Sequence, residues 1–232
     1  MAMNAPEEAP TYEYHEDILA KHAEMKKYYQ ETPAWVVREG HAERYIDANI
    51  KNKGATILDI GASGGVFLSN LAAKGFTNLM ALDVDNYLQD TVKNKFKFVS
   101  TDLNYGAIPL QDQSLDVVTC LSVMEHLENP FHLAREVSRV LKPHGLFIMS
   151  IPNAFYIWSK LSFLRRGELT DWGEKNAHIS FLPKGVFKKS YLRHFTVLDT
   201  VYEAGFLPYF PGIKMPRNEF FGRRVCYFME KK

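Results

Sequence analysis

A short apolar segment followed by a glycine-rich loop constrains the fold of this chain more than any other feature. Residues 56–60 read TILDI, and the loop at 61–65 reads GASGG. A short, nearly continuous apolar run is typical of a strand that is buried on both faces of a parallel sheet. Beyond the loop, apolar residues recur at helical spacing from Val66 to Ala72. The sequence therefore predicts a strand, a tight glycine turn and a helix whose first N–H groups point at the loop.

The composition indicates a folded domain and argues against several classes of partner. The 232 residues suit one domain with an added segment, and an apolar fraction of 46% is ample for a packed core. Because 28 Lys and Arg residues oppose 27 Asp and Glu residues, the net charge of +1 disfavours a nucleic-acid partner, although a local basic patch stays open. We expect Cys120 and Cys226 to be buried free thiols in strands, with no metal cluster. Since no stretch reads as a membrane span or a secretory signal, we expect a cytoplasmic protein.

The rest of the chain repeats the strand–helix pattern and then departs from it. Strands are predicted at 56–60, 79–83, 96–100, 115–121 and 146–151, with a brief helix at 86–94. Regular strand–helix units imply an α/β fold with a doubly wound parallel sheet. Two helices are predicted before the first strand, at 13–31 and 35–50. Residues 184–204 are predicted to be helical, and the last two strands are predicted at 207–210 and 224–229, the final one antiparallel.

The glycine loop resembles motif I of class I S-adenosylmethionine (SAM) dependent methyltransferases, which reads hydrophobic-hydrophobic-D-h-G-x-G-x-G. Gly61 and Gly65 match its first and third glycines, and Ser63 replaces the second. Residues 125–130, which read EHLENP, resemble the "EHL…P" passage of the ubiquinone-biosynthesis-like (type 11 and type 23) group. The segment after the fifth strand is similar to methyltransferases associated with polysaccharide synthesis. This resemblance implies a Rossmann-like sheet of about seven strands, mostly parallel, with SAM as cofactor and a small-molecule acceptor.

The resemblance also implies a set of residues that bind the cofactor. Asp83 would accept hydrogen bonds from the ribose hydroxyls, and Asp102 would bind the adenine amino group. Arg44, on the second helix, would bind the SAM carboxylate, although a solvated surface arginine is an equal alternative. The expected cofactor-binding residues are Asp59, Gly61, Ala62, Ser63, Gly65, Asp83, Val84, Asp102, Leu103, Ser122 and Arg44.

Methyl transfer to a hydroxyl or ammonium group requires a base, because the acceptor must lose a proton. Histidine is suited to this role near neutral pH. His126, just after the fourth strand, is the first candidate, and His178 is the second. The alternative for His126 is a structural residue that starts the next helix. Glu125 is expected either to cap that helix or to position the acceptor.

The resemblance divides the chain into two parts. Residues 1–50 are expected to form a helical segment that covers the cofactor site, and 51–232 to form the SAM-binding domain. An insert at 154–182, rich in aromatic residues, is expected to be a lid, with a simple packing cluster as an equal alternative and a membrane-surface contact as a weaker one.

We expect an oxygen or nitrogen of a sugar-, quinone- or lipid-like precursor to be methylated. The alternative function is a SAM-binding protein without catalysis, acting as a sensor or a partner subunit.

Overall fold

The computed structural model describes residues 40–173, 177–204, 206–207 and 210–232. The helix predicted at 13–31 and the first residues of the helix predicted at 35–50 lie outside this part of the chain. The remainder of the second helix is present as α1, His41–Asn49. The prediction that residues 1–50 cover the cofactor site therefore stays a prediction.

In the part of the chain that the structure describes, nine strands and four further α-helices follow α1. The strands are β1 Thr56–Ile60, β2 Asn78–Asp83, β3 Lys97–Ser100, β4 Leu115–Leu121, β5 Leu141–Pro152, β6 Phe195–Ala204, β7 Phe206–Leu207, β8 Phe210–Lys214 and β9 Gly222–Lys231. The helices after α1 are α2 Val66–Ala73, α3 Pro130–Val140, α4 Ile157–Arg166 and α5 Lys184–His194, and a 3-10 turn covers Met124–His126.

Seven of these strands form one sheet in the order β3-β2-β1-β4-β5-β9-β6. β1 pairs in parallel with β2 and β4, and β3 and β5 extend the parallel part on either side. β9 runs antiparallel between β5 and β6. This arrangement confirms the predicted Rossmann-like α/β sheet of seven strands with an antiparallel last strand. Crossover connections of this kind leave the carboxyl ends of the parallel strands at one edge, where ligands bind.

The sheet is buried on both faces, which explains the continuous apolar run of β1. Leu58 and Ile60 belong to a core cluster that includes residues of α3 and α5, such as Leu133 and Tyr191. Ile57 points to the opposite face and packs in a second cluster with α1 and α2. Because successive side chains of a strand point to opposite faces, a strand between two helical layers has no solvent-facing position to fill with polar residues.

Two elements predicted near the end of the chain are wrong. The helix predicted at 184–204 ends at His194, and residues 195–204 form β6 of the main sheet. β7 and β8 pair with each other as a separate two-stranded sheet, so the described residues of the strand predicted at 207–210 do not belong to the main sheet.

The helix predicted at 86–94 is also absent from the structure, which has turns there. Side-chain oxygens accept hydrogen bonds from backbone N–H groups of this segment. Asp85 Oδ1 accepts from the N–H of Asn86, and Asn86 Oδ1 accepts from the N–H of Leu88. Such local hydrogen bonds compete with helix formation.

None of the helices in the described part of the chain combines the length and the apolar character required to cross a bilayer.

Candidate active site

The candidate site lies at the edge of the sheet where β1, β2, β4 and β5 end. The residues that follow these ends are Gly61, Val84, Ser122 and Asn153. Direct contacts join neighbouring ends: the N–H of Gly61 donates to Leu82 O at 2.8 Å, and the N–H of Ser122 donates to Ser150 O at 3.0 Å. The residues predicted from separate motifs thus meet along one edge.

Gly61 makes the close approach between the first and fourth strand ends possible. Its φ of +71° is in the left-handed region that favours glycine. A Cβ placed on Gly61 would lie 2.2 Å from Cγ2 of Val123, which comes just after β4. Both the backbone conformation and the lack of space therefore require glycine here. The loop is brought directly against the residues that lead to His126.

Asp83 is held at the end of β2 by two backbone N–H groups, one on each carboxylate oxygen. Ser63 donates to Oδ2 at 3.0 Å and Val84 donates to Oδ1 at 2.9 Å. Burial raises the pKa of Asp83 to about 6, against the effect of these hydrogen bonds. A carboxylate oriented by the glycine loop, with further acceptor capacity on both oxygens, fits the pair of ribose hydroxyls that the sequence predicted for it.

Asp59 lies deeper in the sheet, two residues before Gly61. Its Oδ1 accepts a hydrogen bond from the Thr119 hydroxyl on β4 at 2.7 Å. Burial raises the pKa of Asp59 to about 7, and the nearby charges of Asp83 and Glu43 raise it further. Two carboxyl groups with raised pKa values next to the glycine loop are a feature of functional sites, because burying an acid is costly.

The residues that follow β3 lie beside the end of β2, on the side of the candidate site predicted for the adenine ring. The N–H of Thr101 donates to Asp83 O, which joins the ends of β2 and β3. Asp102 Oδ1 accepts from the N–H of Asn104 at 2.9 Å, and Leu103 is buried. Val84 is 41% exposed at the same edge, where an apolar side chain provides a surface for a flat ring.

Two predicted residues are less closely connected to this group. Ser122 has a positive φ of 60°, and its hydroxyl lies 3.4 Å from the Ser150 hydroxyl at the end of β5. Arg44 is exposed on α1, with a guanidinium nitrogen 3.2 Å from Nδ1 of His41. A role for Arg44 in binding the SAM carboxylate stays a prediction.

The two predicted histidines come together from separate segments. His126 ends the 3-10 turn after β4, and His178 belongs to the insert after β5; their ring centroids are 4.8 Å apart. Nδ1 of His126 lies 3.0 Å from Ala177 O, and Nδ1 of His178 hydrogen-bonds to Asp171 O. Because a carbonyl only accepts, each Nδ1 carries the proton, and in the neutral ring the lone pair is on Nε2. Burial lowers the pKa of His178, which favours this neutral form.

A buried ion pair adjoins the histidines, and sequence analysis missed half of it. Glu125 is fully buried, and its Oε1 lies 3.5 Å from a guanidinium nitrogen of Arg224 on β9. Burial lowers the pKa of Arg224, and the Glu125 carboxylate opposes this effect. Arg224 could not be found from the sequence, because about half of the domain separates it from Glu125. Only the pairing of β9 between β5 and β6 brings Arg224 to this edge.

The carboxylate of Glu125 and the two imidazoles also have the composition of a metal site. Their ligand atoms all lie within 4.8 Å of one another. However, the Arg224 guanidinium beside Glu125 already supplies the positive charge that a metal ion would bring to this carboxylate. The arrangement therefore fits a histidine base next to a neutralised acid better than a cation site.

The insert is fastened to the turn that carries Glu125 and His126. The N–H groups of Ile179 and Ser180 both donate to Glu125 O, at 2.9 and 3.0 Å. The Ser180 hydroxyl donates to Leu127 O, and Trp172 Nε1 donates to Ser180 O at 2.8 Å. The described part of the insert is thus held against the turn that carries His126, and its rings also pack on one another, as in the contact of Trp172 with Phe181. Its function as a lid stays a prediction.

Asn153 joins the end of β5 to the turn that precedes β9. Its Nδ2 donates to Glu219 O at 2.6 Å and to Gly222 O at 2.7 Å, while its Oδ1 accepts from the N–H of Phe155. The buried amide therefore fixes the start of β9, two residues before Arg224, and the start of the insert at the same point. Sequence analysis did not single out Asn153.

Comparisons with known proteins agree with this architecture. Residues 58–149 match a family described as a methyltransferase domain. The chain is 27% identical over 156 residues to a ubiquinone biosynthesis O-methyltransferase of Coxiella burnetii, covering 56% of this chain and 66% of the relative. A protein of the same name from Rickettsia bellii is 31% identical over 131 residues, with 53% and 52% covered. The chain therefore spans between half and two thirds of the curated relatives it matches.

The fold is also shared with solved structures. A SAM-dependent methyltransferase from Archaeoglobus fulgidus superimposes with a TM-score of 0.64 at 19% identity, covering 91% of this chain and all of the other. At this identity the likeness concerns the fold, and it includes the part of the chain beyond the family match.

Proposed function

Since the chain carries a class I SAM-dependent methyltransferase domain, we propose that it transfers the methyl group of SAM to an oxygen or nitrogen of a small-molecule acceptor. The proposed acceptor is a sugar-, quinone- or lipid-like precursor. The quinone-related relatives favour a hydroxyl group as the site of methylation.

The observation that carries this proposal is the His126–His178 pair beside the cofactor edge. Val123, packed on Gly61 of the loop, is three residues before His126, so the pair is close to where the methyl group would be presented. A sensor that only bound SAM would have no use for two adjacent imidazoles whose Nδ1 atoms are held by backbone carbonyls. This feature favours catalysis over the alternative of a binding protein without activity.

Different residues would orient the cofactor, take the proton of the acceptor and exclude water. The glycine loop and Asp83 would orient the cofactor, which supplies an already activated methyl group. Nε2 of His126, or of His178, would take the proton of the acceptor as its oxygen or nitrogen forms the new bond to carbon. The Glu125 carboxylate lies within 4.8 Å of both rings and would favour the imidazolium that results, though less than an unpaired carboxylate because Arg224 lies beside it. The insert would exclude water from this step.

The first test is calorimetric titration of the chain with S-adenosylhomocysteine. We expect binding in the micromolar range for wild type and a loss of about tenfold or more for Asp83→Ala, which removes both oxygens proposed to hold the ribose. Asp199→Ala, on the far edge strand β6, is the matched control and should bind like wild type. A folded wild-type chain that binds neither this ligand nor SAM would refute the proposal.

The second test separates an enzyme from a sensor. Phenolic, sugar and amine acceptors are first screened with the wild-type chain. Methyl transfer to the acceptor that reacts is then measured for His126→Ala and His178→Ala. His144→Ala, at the opposite end of β5, is the control. Loss of a general base should lower kcat by about 10²–10⁴-fold while cofactor affinity is kept. If both histidine variants retain full activity, the base assignment is wrong; if cofactor binds but no acceptor reacts, the sensor function replaces the enzyme.

We further propose that the protein works in the cytoplasm. Cys120 and Cys226 are both buried free thiols, which fits a reducing compartment.

A further inference from the structure

The residue that holds the ring of His178 is itself bound to the main sheet through its side chain. Asp171 O accepts the hydrogen bond from Nδ1 of His178, and Asp171 Oδ1 accepts a second one from Nη2 of Arg223 on β9 at 3.0 Å. The Asp171 side chain is 13% exposed, whereas the Arg223 side chain is 64% exposed. The acid thus lies inside, and the cation reaches it from the surface.

The backbone of Arg223 is fixed where β5, β9 and the insert meet. The N–H of Asn153 donates to Arg223 O at 2.8 Å, and Asn153 Nδ2 donates to Gly222 O at 2.7 Å. Arg224, the next residue, pairs with Glu125 at the same edge. Consecutive arginines of β9 therefore bind the two acids that lie beside the two histidines.

The ring of His178 also packs against a residue that moves with Asp171. Trp172 follows Asp171 directly, and its ring centroid is 5.9 Å from that of His178. The indole Nε1 of Trp172 donates to Ser180 O at 2.8 Å. A displacement of Asp171 would therefore shift both the carbonyl that binds Nδ1 and the ring that packs against the imidazole.

We propose that Asp171 and Arg223 are positioning residues for His178, and that His178 is the histidine that takes the proton of the acceptor. A base that is oriented by a third group is a recurring arrangement in active sites. Nδ1 of His126 is instead held by the carbonyl of Ala177, whose side chain has no polar group to anchor it. This inference rests on the proposed function, since it assigns the base within the histidine pair.

The hydrogen bond to Asp171 would keep the proton of the neutral His178 ring on Nδ1 and the lone pair on Nε2. As the oxygen or nitrogen of the acceptor bonds to the methyl carbon, its proton passes to Nε2. The electron pair of the broken carbon–sulfur bond stays on sulfur. The imidazolium that results keeps its hydrogen bond to Asp171 O, because Nδ1 remains a donor.

The first measurement needs no substrate. Proton–nitrogen correlation spectra of histidine-labelled chain, taken well above the ordinary histidine pKa of about 6.5, report which ring nitrogen carries the proton. His178→Gln assigns the signal by removing it. We expect the Nδ1–H tautomer alone in wild type, and a mixture of both tautomers in Arg223→Met and Asp171→Ala. Arg223→Lys should keep the wild-type pattern, because a lysine can still bind the single oxygen that Arg223 contacts.

The second measurement is methyl transfer to an acceptor on which the wild-type chain is active. Arg223→Met should lower kcat about tenfold and Asp171→Ala about tenfold to a hundredfold, because the base is misplaced. The affinity for S-adenosylhomocysteine should stay unchanged in both variants. Arg223→Lys should restore kcat to within about threefold of wild type. A merely structural role would not give a loss that is confined to kcat and rescued by lysine.

Lys184→Met is the matched control. Lys184 is 61% exposed and pairs with Glu219, four residues before Arg223, so the variant removes a similar surface cation from the same region. It should keep the tautomer and kcat of wild type. Arg223→Met and Asp171→Ala that are folded in thermal unfolding and retain the wild-type tautomer, or the wild-type kcat, overturn the inference. A wild type that binds SAM but methylates no acceptor refutes the proposed function, and the base assignment falls with it.

Discussion

Asp59, the buried acid on β1 just before the glycine loop, leads to a prediction about how stability depends on pH. The pKa of Asp59 is raised in the folded chain from 3.8 to about 7, chiefly because the group is fully buried. The folded state therefore binds a proton that the unfolded state has already released between about pH 4 and about pH 7. Stability must fall as the pH rises through this window, because the folded chain must either hold the proton or bury the charge.

The size of the expected loss of stability follows from the shift in the pKa of Asp59. A change of about 3 pKa units at about 1.36 kcal/mol each amounts to about 4 kcal/mol, and complete burial leaves no solvent screening to reduce it. Asp59→Asn has no proton to lose, and its amide oxygen can still accept from Thr119. The free energy of unfolding of the variant should gain about 4 kcal/mol relative to wild type between about pH 4 and about pH 8.

Urea unfolding of the ligand-free chain, followed by tryptophan fluorescence at about six pH values, measures this difference directly. A pH-independent effect of the new amide on the free energy of unfolding does not matter, because only the change of this free energy with pH is compared. Thr119→Val supplies an internal check, because it removes the hydrogen bond that lowers the pKa of Asp59 and should move the wild-type curve to higher pH. Parallel curves for wild type and Asp59→Asn would refute the reasoning.

Three further predictions concern other parts of the site. Gly61→Ala should lower the free energy of unfolding by about 3 kcal/mol, and Val123→Ala in the same chain should recover about a third of it by removing the clash, as chemical denaturation would show. Arg224→Met should cost about 3–5 kcal/mol of stability by leaving Glu125 buried without its cation, and Glu125→Gln/Arg224→Met should cost much less. Affinity for S-adenosylhomocysteine, measured by calorimetry, should fall about tenfold from about pH 7 to about pH 5 as Asp83 gains a proton, and Asp83→Asn should abolish this pH dependence.

The strands that border the site were predictable because they are buried on both sides. β4 has the predicted bounds, and β2 differs from its prediction by one residue. In β2 the apolar run 79–82 is continuous and ends at Asp83, whereas β4 keeps five apolar residues around Asp116 and Thr119 and ends before Ser122. These ends carry the predicted cofactor residues, so the same sequence signals that determined the fold also located the edge where the site lies.

The sixth strand was missed because its first residue continues a helical pattern. Phe187, Tyr191 and Phe195 recur every four residues and all three are buried, which favours a helix running past position 194. The strand signal from the β-branched residues Val197 and Val201 comes later. Pairing with β9 decides the outcome, and that pairing depends on residues about 30 positions further along the chain. No local pattern could have shown it.

The geometry of the two candidate bases depends in turn on contacts that only the folded chain provides. His126 and His178 are brought within contact distance because two N–H groups of the insert donate to the carbonyl of Glu125. The side chain of Glu125 meanwhile faces Arg224 from β9, and Asn153 ties the start of β9 to the start of the insert. If the insert opened, the histidines would separate and the carbonyl of Glu125 would lose two hydrogen bonds together. If the insert is the proposed lid and one of the histidines the proposed base, an acceptor would meet an assembled base only after the insert had closed over it. Exclusion of water and assembly of the base would then be a single step.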